Sequence, residues 1–169
     1  MTIKVGDPLP AGTLMESVGY DETKNCPLPP QPVDIQALCK GKKVVIFGLP
    51  GAFTPTCSAA HVPGYLKHYE ALKAKGVDTI VCMAVNDGFV MGAWGRSLGV
   101  GDKIRMLGDG SGAYTKALGL ELDLTDKGMG VRCQRFSLLV EDGIVKRVNI
   151  EGVGPANCSF AEAMLEQLG

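Results

Sequence analysis

Two apolar, β-prone runs constrain the fold of this chain more than any other feature. Residues 79–85 are almost wholly apolar, and residues 44–47 (Val-Val-Ile-Phe) form a second run of the same kind. A strand of this composition is expected to be covered on both faces, which places helices on both sides of its sheet. Between the two runs, Tyr65, Tyr69 and Leu72 follow the i, i+4, i+7 spacing of one helix face. Strands that alternate with helices predict an α/β fold.

A β-hairpin and a final helix are predicted near the C-terminal end of the chain. Residues 134–140 and 144–150 are β-prone and are joined by Glu-Asp-Gly, and Asp-Gly between such runs is a strong hairpin signal. Ser159 and Glu162 have the spacing of a capping box, which predicts that the last helix begins at Ser159. The hairpin makes the predicted central sheet mixed. A length of 169 residues suits one domain, residues 1–169.

Aspartates predict the starts of two further helices. Asp34 is the expected N-cap of a short helix that ends before Gly41, and Asp87 is the expected N-cap of a helix that runs toward Leu98. Residues 25–32 contain four prolines, and this composition predicts a surface loop.

Charge and hydropathy argue against several classes of function. The net charge of −1 arises from 17 basic and 18 acidic residues; they are interspersed, so no basic stripe suggests nucleic-acid binding. No apolar run approaches the roughly 18 residues that a membrane-spanning helix needs. The first residues lack the apolar core of a secretory signal, so a cytoplasmic protein is expected unless an organellar presequence has been removed.

The cysteine pattern argues against a metal site. Six cysteines occur, and they include no C-x-x-C pair and no Cys/His pattern with zinc spacing. We therefore expect neither a metal nor another cofactor, and individual thiol chemistry is the special use that remains.

The segment Pro-Gly-Ala-Phe-Thr-Pro-Thr-Cys, residues 50–57, places Cys57 where a strand gives way to a helix. A helix N-terminus offers unpaired N–H groups and the positive end of its dipole, both of which favour an anion. A thiol there ionises more readily, and the thiolate is its reactive form. Thr54 lies one tight turn before the sulfur. A free cysteine is more often a small buried hydrophobe, but the prolines, glycine and threonines here are typical of turns, so Cys57 is the candidate nucleophile.

The run FGLPGAFTPTCSAAHVPGY, residues 47–65, resembles the active-site segment of the peroxiredoxins, in particular the type II (atypical two-cysteine) class. The resemblance extends through residues 85–87 and 107–112, and through 135–137 to 142–143, so it covers nearly the whole chain. It implies a thioredoxin-like fold, which agrees with the mixed α/β sheet predicted above, and a thiol peroxidase.

By this resemblance, Cys57 attacks hydrogen peroxide or an alkyl hydroperoxide and becomes a sulfenic acid. Thr54 would exchange a hydrogen bond with the peroxide or the thiolate, and Pro50 would shape the turn and shield the sulfur. Arg135 is the implied cation, whose forked donors can reach both a sulfur anion and an oxygen. Strand periodicity places residues 133 and 135 on one face and Arg132 on the other, so Arg132 is expected to point away.

A second thiol can condense with the sulfenic acid, and the resemblance supplies two precedents. Cys158, in a Gly/Pro-containing loop that could move, matches the animal-like members. Cys82 matches the plant-like members, but its strand is expected to be buried, so it would need local unfolding. Mobility favours Cys158, and Cys133 is a weaker third candidate. Alternatively, an external thiol such as thioredoxin, glutaredoxin or glutathione reduces Cys57 directly.

Two other functions are consistent with the same residues. His61 would form a cysteine hydrolase dyad with Cys57 if its imidazole touched the sulfur and a third group oriented it. The resemblance assigns His61 no proton transfer, which favours a structural or interface role. A thioredoxin-fold binding or chaperone module with an inert Cys57 is the remaining hypothesis. The resemblance also implies a homodimer.

Overall fold

The computed structural model describes residues 1–151 and 157–169. Within these residues, the strands are β1 (Thr13–Glu16), β2 (Tyr20–Asp21), β3 (Cys26–Pro27), β4 (Gln31–Asp34), β5 (Lys43–Gly48), β6 (Thr79–Ala84), β7 (Arg105–Gly108), β8 (Glu121–Leu124), β9 (Gly130–Cys133), β10 (Phe136–Glu141) and β11 (Ile144–Ile150). The helices are α1 (Ile35–Cys39), α2 (Val62–Lys67), α3 (Tyr69–Ala74), α4 (Gly88–Leu98), α5 (Ala113–Leu118) and α6 (Ala161–Leu168). A π-helical turn, Cys57–His61, leads directly into α2.

Seven of the described strands form one central sheet in the order β11-β10-β5-β6-β7-β1-β4. The central strands β5, β6 and β7 are parallel. On one side, β10 of the β10–β11 hairpin pairs with β5 in the antiparallel direction. On the other side, β1 pairs antiparallel with β7, and β4 pairs antiparallel with β1. The predicted α/β fold with a mixed central sheet is therefore confirmed.

Side chains of the central strands alternate between two hydrophobic clusters, one on each face of the sheet. Val45 and Phe47 of β5 pack with residues of α2, α3, α4 and α6, whereas Val44 and Ile46 pack with residues of α1 and α5. This two-residue alternation is expected of a strand that is buried on both faces. Cys57 belongs to the first cluster, so we call this side of the sheet the Cys57 face.

Gly48 ends β5 at the point where β10 approaches most closely. It pairs with Phe136 across the antiparallel ladder, and a β-carbon at position 48 would lie 2.1 Å from the Phe136 ring. Only glycine leaves room for that ring. Because Arg135 directly precedes Phe136, this packing brings Arg135 to the loop that follows β5.

Several local predictions are confirmed by the backbone and its hydrogen bonds. Asp142 and Gly143 have φ values of 49° and 78°, as a two-residue type I′ hairpin turn requires. Asp34 accepts a hydrogen bond from an N–H group in the first turn of α1, and Asp87 does the same for α4.

The predicted loop at residues 25–32 is wrong in part, because it contains β3 and the start of β4. Proline is tolerated in a strand at the edge of a sheet, and β4 is the edge strand here. The predicted strand at 134–140 begins two residues later, at Phe136, so Arg135 lies in the short link between β9 and β10.

The predicted capping box at the last helix is also wrong. α6 begins at Ala161 with Phe160 as its N-cap, because the Ser159 hydroxyl donates to Glu151 instead. Glu162 pairs with His68 at 3.1 Å. The Gly/Pro-containing loop that was expected to carry Cys158 falls at residues 152–156, outside the described residues, whereas Cys158 itself is described.

Candidate active site

Cys57 begins the π-helical turn that follows the loop after β5. Its side chain is fully buried, and its carbonyl accepts from the N–H of Val62, five residues later. Pro63 comes next and has no N–H group with which to continue an α-helical ladder, which favours the wider turn. The first turn of a helix is where N–H groups lack intrahelical acceptors, so Cys57 occupies a position that favours an anion.

The loop after β5 and the π-helical turn are held by Asn86, which follows β6, and by Trp94 of α4. The side-chain oxygen of Asn86 accepts the N–H of Ala52 at 2.9 Å, and the Trp94 indole donates to Ser58 Oγ at 3.0 Å. Phe53 has a φ of 60°, which is uncommon for a residue other than glycine. Asn86 therefore holds the loop, and Trp94 holds the π-helical turn that follows it.

Arg135 is the positively charged group beside the Cys57 sulfur. Its Nη2 donates to Cys57 Sγ at 3.3 Å, and its Nη1 donates to His61 Nδ1 at 2.9 Å. The main chain fixes the residue as well, since the N–H of Glu151 donates to the Arg135 carbonyl at 2.9 Å. A guanidinium keeps its charge and holds two acceptors in a fixed fork, so it can stabilise negative charge at the sulfur.

His61 orients Arg135 as a neutral imidazole. Burial, and then the charge of Arg135, lower the pKa of His61 to about 3. Its Nε2 donates to the Ser159 carbonyl at 3.2 Å, which leaves Nδ1 as an acceptor for Arg135. Both ring nitrogens are thus engaged away from the Cys57 sulfur, so His61 is not placed as the general base of a hydrolase dyad.

Thr54 and Pro50 lie in the loop that precedes Cys57, and Arg132 contacts this loop. The Thr54 hydroxyl donates to the Gly51 carbonyl at 2.7 Å, so its lone pairs remain able to accept a hydrogen bond. Nη1 of Arg132 donates to the Pro50 carbonyl at 3.2 Å. The expectation that Arg132 points away is therefore wrong, because its guanidinium contacts the loop that precedes Cys57, whereas Arg135 contacts the sulfur.

The three other cysteines considered for a second thiol have different surroundings. Cys82 is fully buried on the Cys57 face, and burial raises its pKa well above the usual value. Cys133 belongs to the cluster on the opposite face, and burial raises its pKa to about 12. The predicted common face of residues 133 and 135 is therefore wrong, because β9 ends at Cys133 and Arg135 lies in the link that follows it. Cys158 is half-buried; burial and its hydrogen bond to Glu151 raise its pKa to about 11.

Other features of the described residues lie apart from this site. A surface cleft of about 570 Å³ between β1 and α4 is lined by residues such as Tyr20 and Arg96 and contains none of the residues above. In the part of the chain that the structure describes, no group of three or more His, Cys, Asp or Glu side chains could hold a metal ion. No helix in the same residues is long and apolar enough to cross a membrane.

Sequence reasoning did not find the groups that support Arg135. Glu151 and Ser159 bind each other through the side chains, and Tyr65 donates to the Ser159 carbonyl at 2.7 Å. The capping-box spacing drew attention to Ser159 for another reason, and Tyr65 was noted only as part of an apolar helix face. No local signal connects these residues, since they meet only through the docking of α6.

Comparisons with known proteins agree with this fold. A family model described as Redoxin matches residues 4–165. Peroxiredoxin-2B of Arabidopsis thaliana is 48% identical over 98% of both chains. Peroxiredoxin-2E, chloroplastic, of the same organism is 46% identical over 99% of this chain and 70% of that protein. Among solved structures, reduced Prx3 of Vibrio vulnificus in complex with hydrogen peroxide is 42% identical, with a TM-score of 0.89 over 99% of this chain and 100% of that chain.

The chain belongs to the Redoxin family and, within it, to the peroxiredoxins of the type II class. It is a thiol peroxidase, an oxidoreductase that takes a peroxide as oxidant and a thiol as reductant. The cysteine hydrolase and the inert binding module find no support in these comparisons.

Proposed function

We propose that Cys57 is the peroxidatic nucleophile of this thiol peroxidase and that its substrates are hydrogen peroxide and alkyl hydroperoxides. The thiolate sulfur bonds to one peroxide oxygen while the O–O bond breaks. The bonding electron pair leaves with the second oxygen, which takes a proton to become water or an alcohol, and Cys57 becomes a sulfenic acid. The complex of hydrogen peroxide with the Vibrio vulnificus relative supports this choice of substrate.

The contact of 3.3 Å between Arg135 Nη2 and Cys57 Sγ carries this proposal. The guanidinium stabilises the thiolate before reaction and the negative charge on the departing oxygen during it. Preorganised donors of this kind often supply the largest single contribution to catalysis. Thr54, whose hydroxyl is anchored on Gly51, accepts a hydrogen bond from the peroxide, and Pro50 shapes the loop that shields the sulfur.

For the second half of the cycle, we propose Cys158 as the resolving thiol. Its sulfur bonds to Cys57 while the sulfenic hydroxyl leaves with the thiol proton as water. The half-buried position of Cys158, against the complete burial of Cys82, supports this order of preference. Two external thiol groups, from thioredoxin, glutaredoxin or glutathione, then reduce this bridge to two thiols and become a disulfide themselves. If no internal cysteine acts, the same two thiol groups reduce the sulfenic acid directly to the thiol, with release of water.

The remaining parts of the proposal concern the whole molecule. We propose that residues 1–169 act as a single domain, that the protein works as a homodimer, and that it is cytoplasmic. Because one relative is named as chloroplastic, the location is tested by cell fractionation. The dimer is tested by sedimentation analysis.

The catalytic assignment is tested by following peroxide consumption with dithiothreitol as the reductant. Cys57→Ser is expected to abolish turnover, whereas Cys26→Ser, the same change at a half-buried thiol outside the site, is expected to retain it. If Cys57→Ser retained the turnover of the wild type, Cys57 would not be the nucleophile.

The resolving step is tested by non-reducing mass spectrometry after one equivalent of peroxide. A bridge between residues 57 and 158 supports Cys158. A bridge between residues 57 and 82, or a sulfenic acid that persists in the absence of other thiols, would overturn that assignment and leave the peroxidatic step intact.

A further inference from the structure

We propose that Glu151 is a positioning residue that ties the site of Cys158 to the site of Cys57. Its carboxylate holds the turn at residues 157–159, and that turn supports His61 and, through it, Arg135. Cys158 can then leave its place only by loosening the support of the guanidinium beside Cys57. This inference deepens the proposed function and rests on it.

The carboxylate of Glu151 accepts four hydrogen bonds from two consecutive residues. Oε2 accepts from the Ser159 hydroxyl at 2.7 Å and from the Ser159 N–H at 2.9 Å. Oε1 accepts from the Cys158 thiol at 3.1 Å and from the Cys158 N–H at 3.3 Å. Burial alone would raise the pKa of Glu151, but the hydrogen bonds, led by those from Ser159, lower it to about 2. The ionised carboxylate therefore fixes the turn at neutral pH.

The Ser159 carbonyl connects the turn that Glu151 holds to the active site. It accepts from His61 Nε2 at 3.2 Å and from the Tyr65 hydroxyl at 2.7 Å, and both of these side chains are fully buried. Because Nε2 of His61 donates here, Nδ1 is left to accept from Arg135. Displacing the carbonyl would remove the group that fixes both the tautomer and the orientation of the imidazole.

Glu151 also contacts Arg135 through the main chain. Its N–H donates to the Arg135 carbonyl at 2.9 Å, immediately after β11 ends. The residue that binds the turn is thus itself attached to the backbone of the arginine. Both ends of the Arg135 residue, its carbonyl and its guanidinium, depend on the same short assembly of Glu151, Ser159 and His61.

The same carboxylate keeps Cys158 unreactive while the turn is docked. A thiol that donates to a carboxylate is held in its protonated form, and the thiolate is the form that attacks sulfur. Reaction with the Cys57 sulfenic acid therefore requires the Cys158 sulfur to leave Glu151. Since Cys158 and Ser159 are adjacent, this movement draws the Ser159 carbonyl away from His61. The reduced, docked turn is the state in which Arg135 is ready for peroxide.

The first experiment compares the wild type with Glu151→Gln and with Glu166→Gln, an exposed glutamate of α6. A glutamine amide presents N–H groups where two acceptors are needed. In Glu151→Gln, we expect single-turnover oxidation of Cys57 to slow about tenfold, the effect of misplacing one charge-assisted hydrogen bond. Alkylation of Cys158 by iodoacetamide at pH 8 should accelerate by about the same factor. Glu166→Gln should match the wild type in both.

A pH profile separates positioning from a loss of stability. If Arg135 is displaced, the midpoint of the pH dependence of Cys57 alkylation moves upward in Glu151→Gln, whereas a destabilised but correctly arranged site keeps the midpoint. Glu151→Asp retains the charge and should recover part of the oxidation rate. If Glu151→Gln is too unstable to purify, Ser159→Ala, which removes one of the four hydrogen bonds, is used instead. It should show smaller changes in the same direction in the Cys57 oxidation rate, the Cys158 alkylation rate and the pH midpoint.

The two proposals fail in different ways. An active Cys57→Ser variant would end the proposed function. An inactive Cys57→Ser variant together with a Glu151→Gln protein whose Cys57 oxidation rate and pH midpoint equal those of the wild type would end this inference alone.

Discussion

The Arg135 guanidinium donates to a neutral histidine, His61, and not to a carboxylate, on the side turned away from the Cys57 sulfur. A carboxylate in this place would orient the guanidinium equally well, but its negative charge would offset the charge of the arginine. The buried imidazole supplies an acceptor without that cost. The full charge of Arg135 is therefore available to the sulfur and, in the mechanism proposed above, to the oxygen that departs from the peroxide.

Replacing Arg135 by alanine is expected to lower kcat/KM for hydrogen peroxide roughly a hundredfold or more, as removal of one preorganised donor does in other enzymes. Arg135→Lys should recover only part of this loss, because an ammonium cannot hold Cys57 and His61 at once in a fixed fork. Stopped-flow oxidation measures both variants. Arg147→Ala, on the exposed part of β11, is the control, and an Arg135→Ala rate within twofold of that control would contradict the assignment.

The neutral state of His61 should make the fold sensitive to acid. The pKa of His61 is about 3 in the folded chain, whereas the unfolded chain binds a proton below about pH 6.5. The unfolded state therefore binds more protons as the pH falls from 6.5 toward 3, and the free energy of unfolding decreases by at most about 1.4 kcal/mol for each pH unit.

Urea unfolding between pH 6.5 and 5 measures this slope. His61→Gln should start from a lower stability at pH 7 and show a shallower slope, whereas His68→Gln, a change of the partly exposed histidine, should keep the slope due to His61. Equal slopes in the wild type and His61→Gln would show that His61 titrates alike in both states.

Buried thiols should be protected from alkylation in the native protein. Cys82 and Cys133 are fully buried, and burial raises the pKa of each. At pH 8, iodoacetamide should label them only when denaturant unfolds the chain, as peptide mass spectrometry can determine. Rapid labelling of Cys82 without denaturant would reveal local opening of β6 and would strengthen Cys82 as the resolving thiol.

Gly48→Ala should destabilise the fold and the site together. The added methyl group would lie 2.1 Å from the Phe136 ring, and overpacking of this kind costs about 1–3 kcal/mol. Because Phe136 adjoins Arg135, oxidation of Cys57 by peroxide should slow as well. Adding Phe136→Leu to the Gly48→Ala chain should restore part of the stability and part of the oxidation rate. Gly64→Ala in α2, where a β-carbon meets nothing within 4 Å, should leave the rate unchanged, with chemical denaturation and stopped flow as the measurements.

The sequence was sufficient for features that depend on local patterns. Cys57 at the strand-to-helix turn, the helix caps at Asp34 and Asp87 and the Asp-Gly hairpin follow from residues close to one another in the chain. The arrangement around Glu151 does not, because Ser159 satisfies a local capping pattern and a distant carboxylate takes its hydroxyl instead. The sequence does not indicate the π-helical turn either, since Pro63 removes one N–H donor but does not show which hydrogen-bonded ring forms instead. A prediction from local sequence patterns is wrong where a residue distant in the chain accepts the hydrogen bond of the same donor.

The sulfur and the guanidinium that faces it are 78 residues apart in the chain, and they meet only after β10 has paired with β5. Contacts so distant in sequence form late in folding. On the ribosome, Cys57 is synthesised before Arg135, so its thiol does not yet have this guanidinium beside it. Under the proposed function, the reactivity of Cys57 toward peroxide thus depends on the finished sheet and not on the local sequence around the thiol alone.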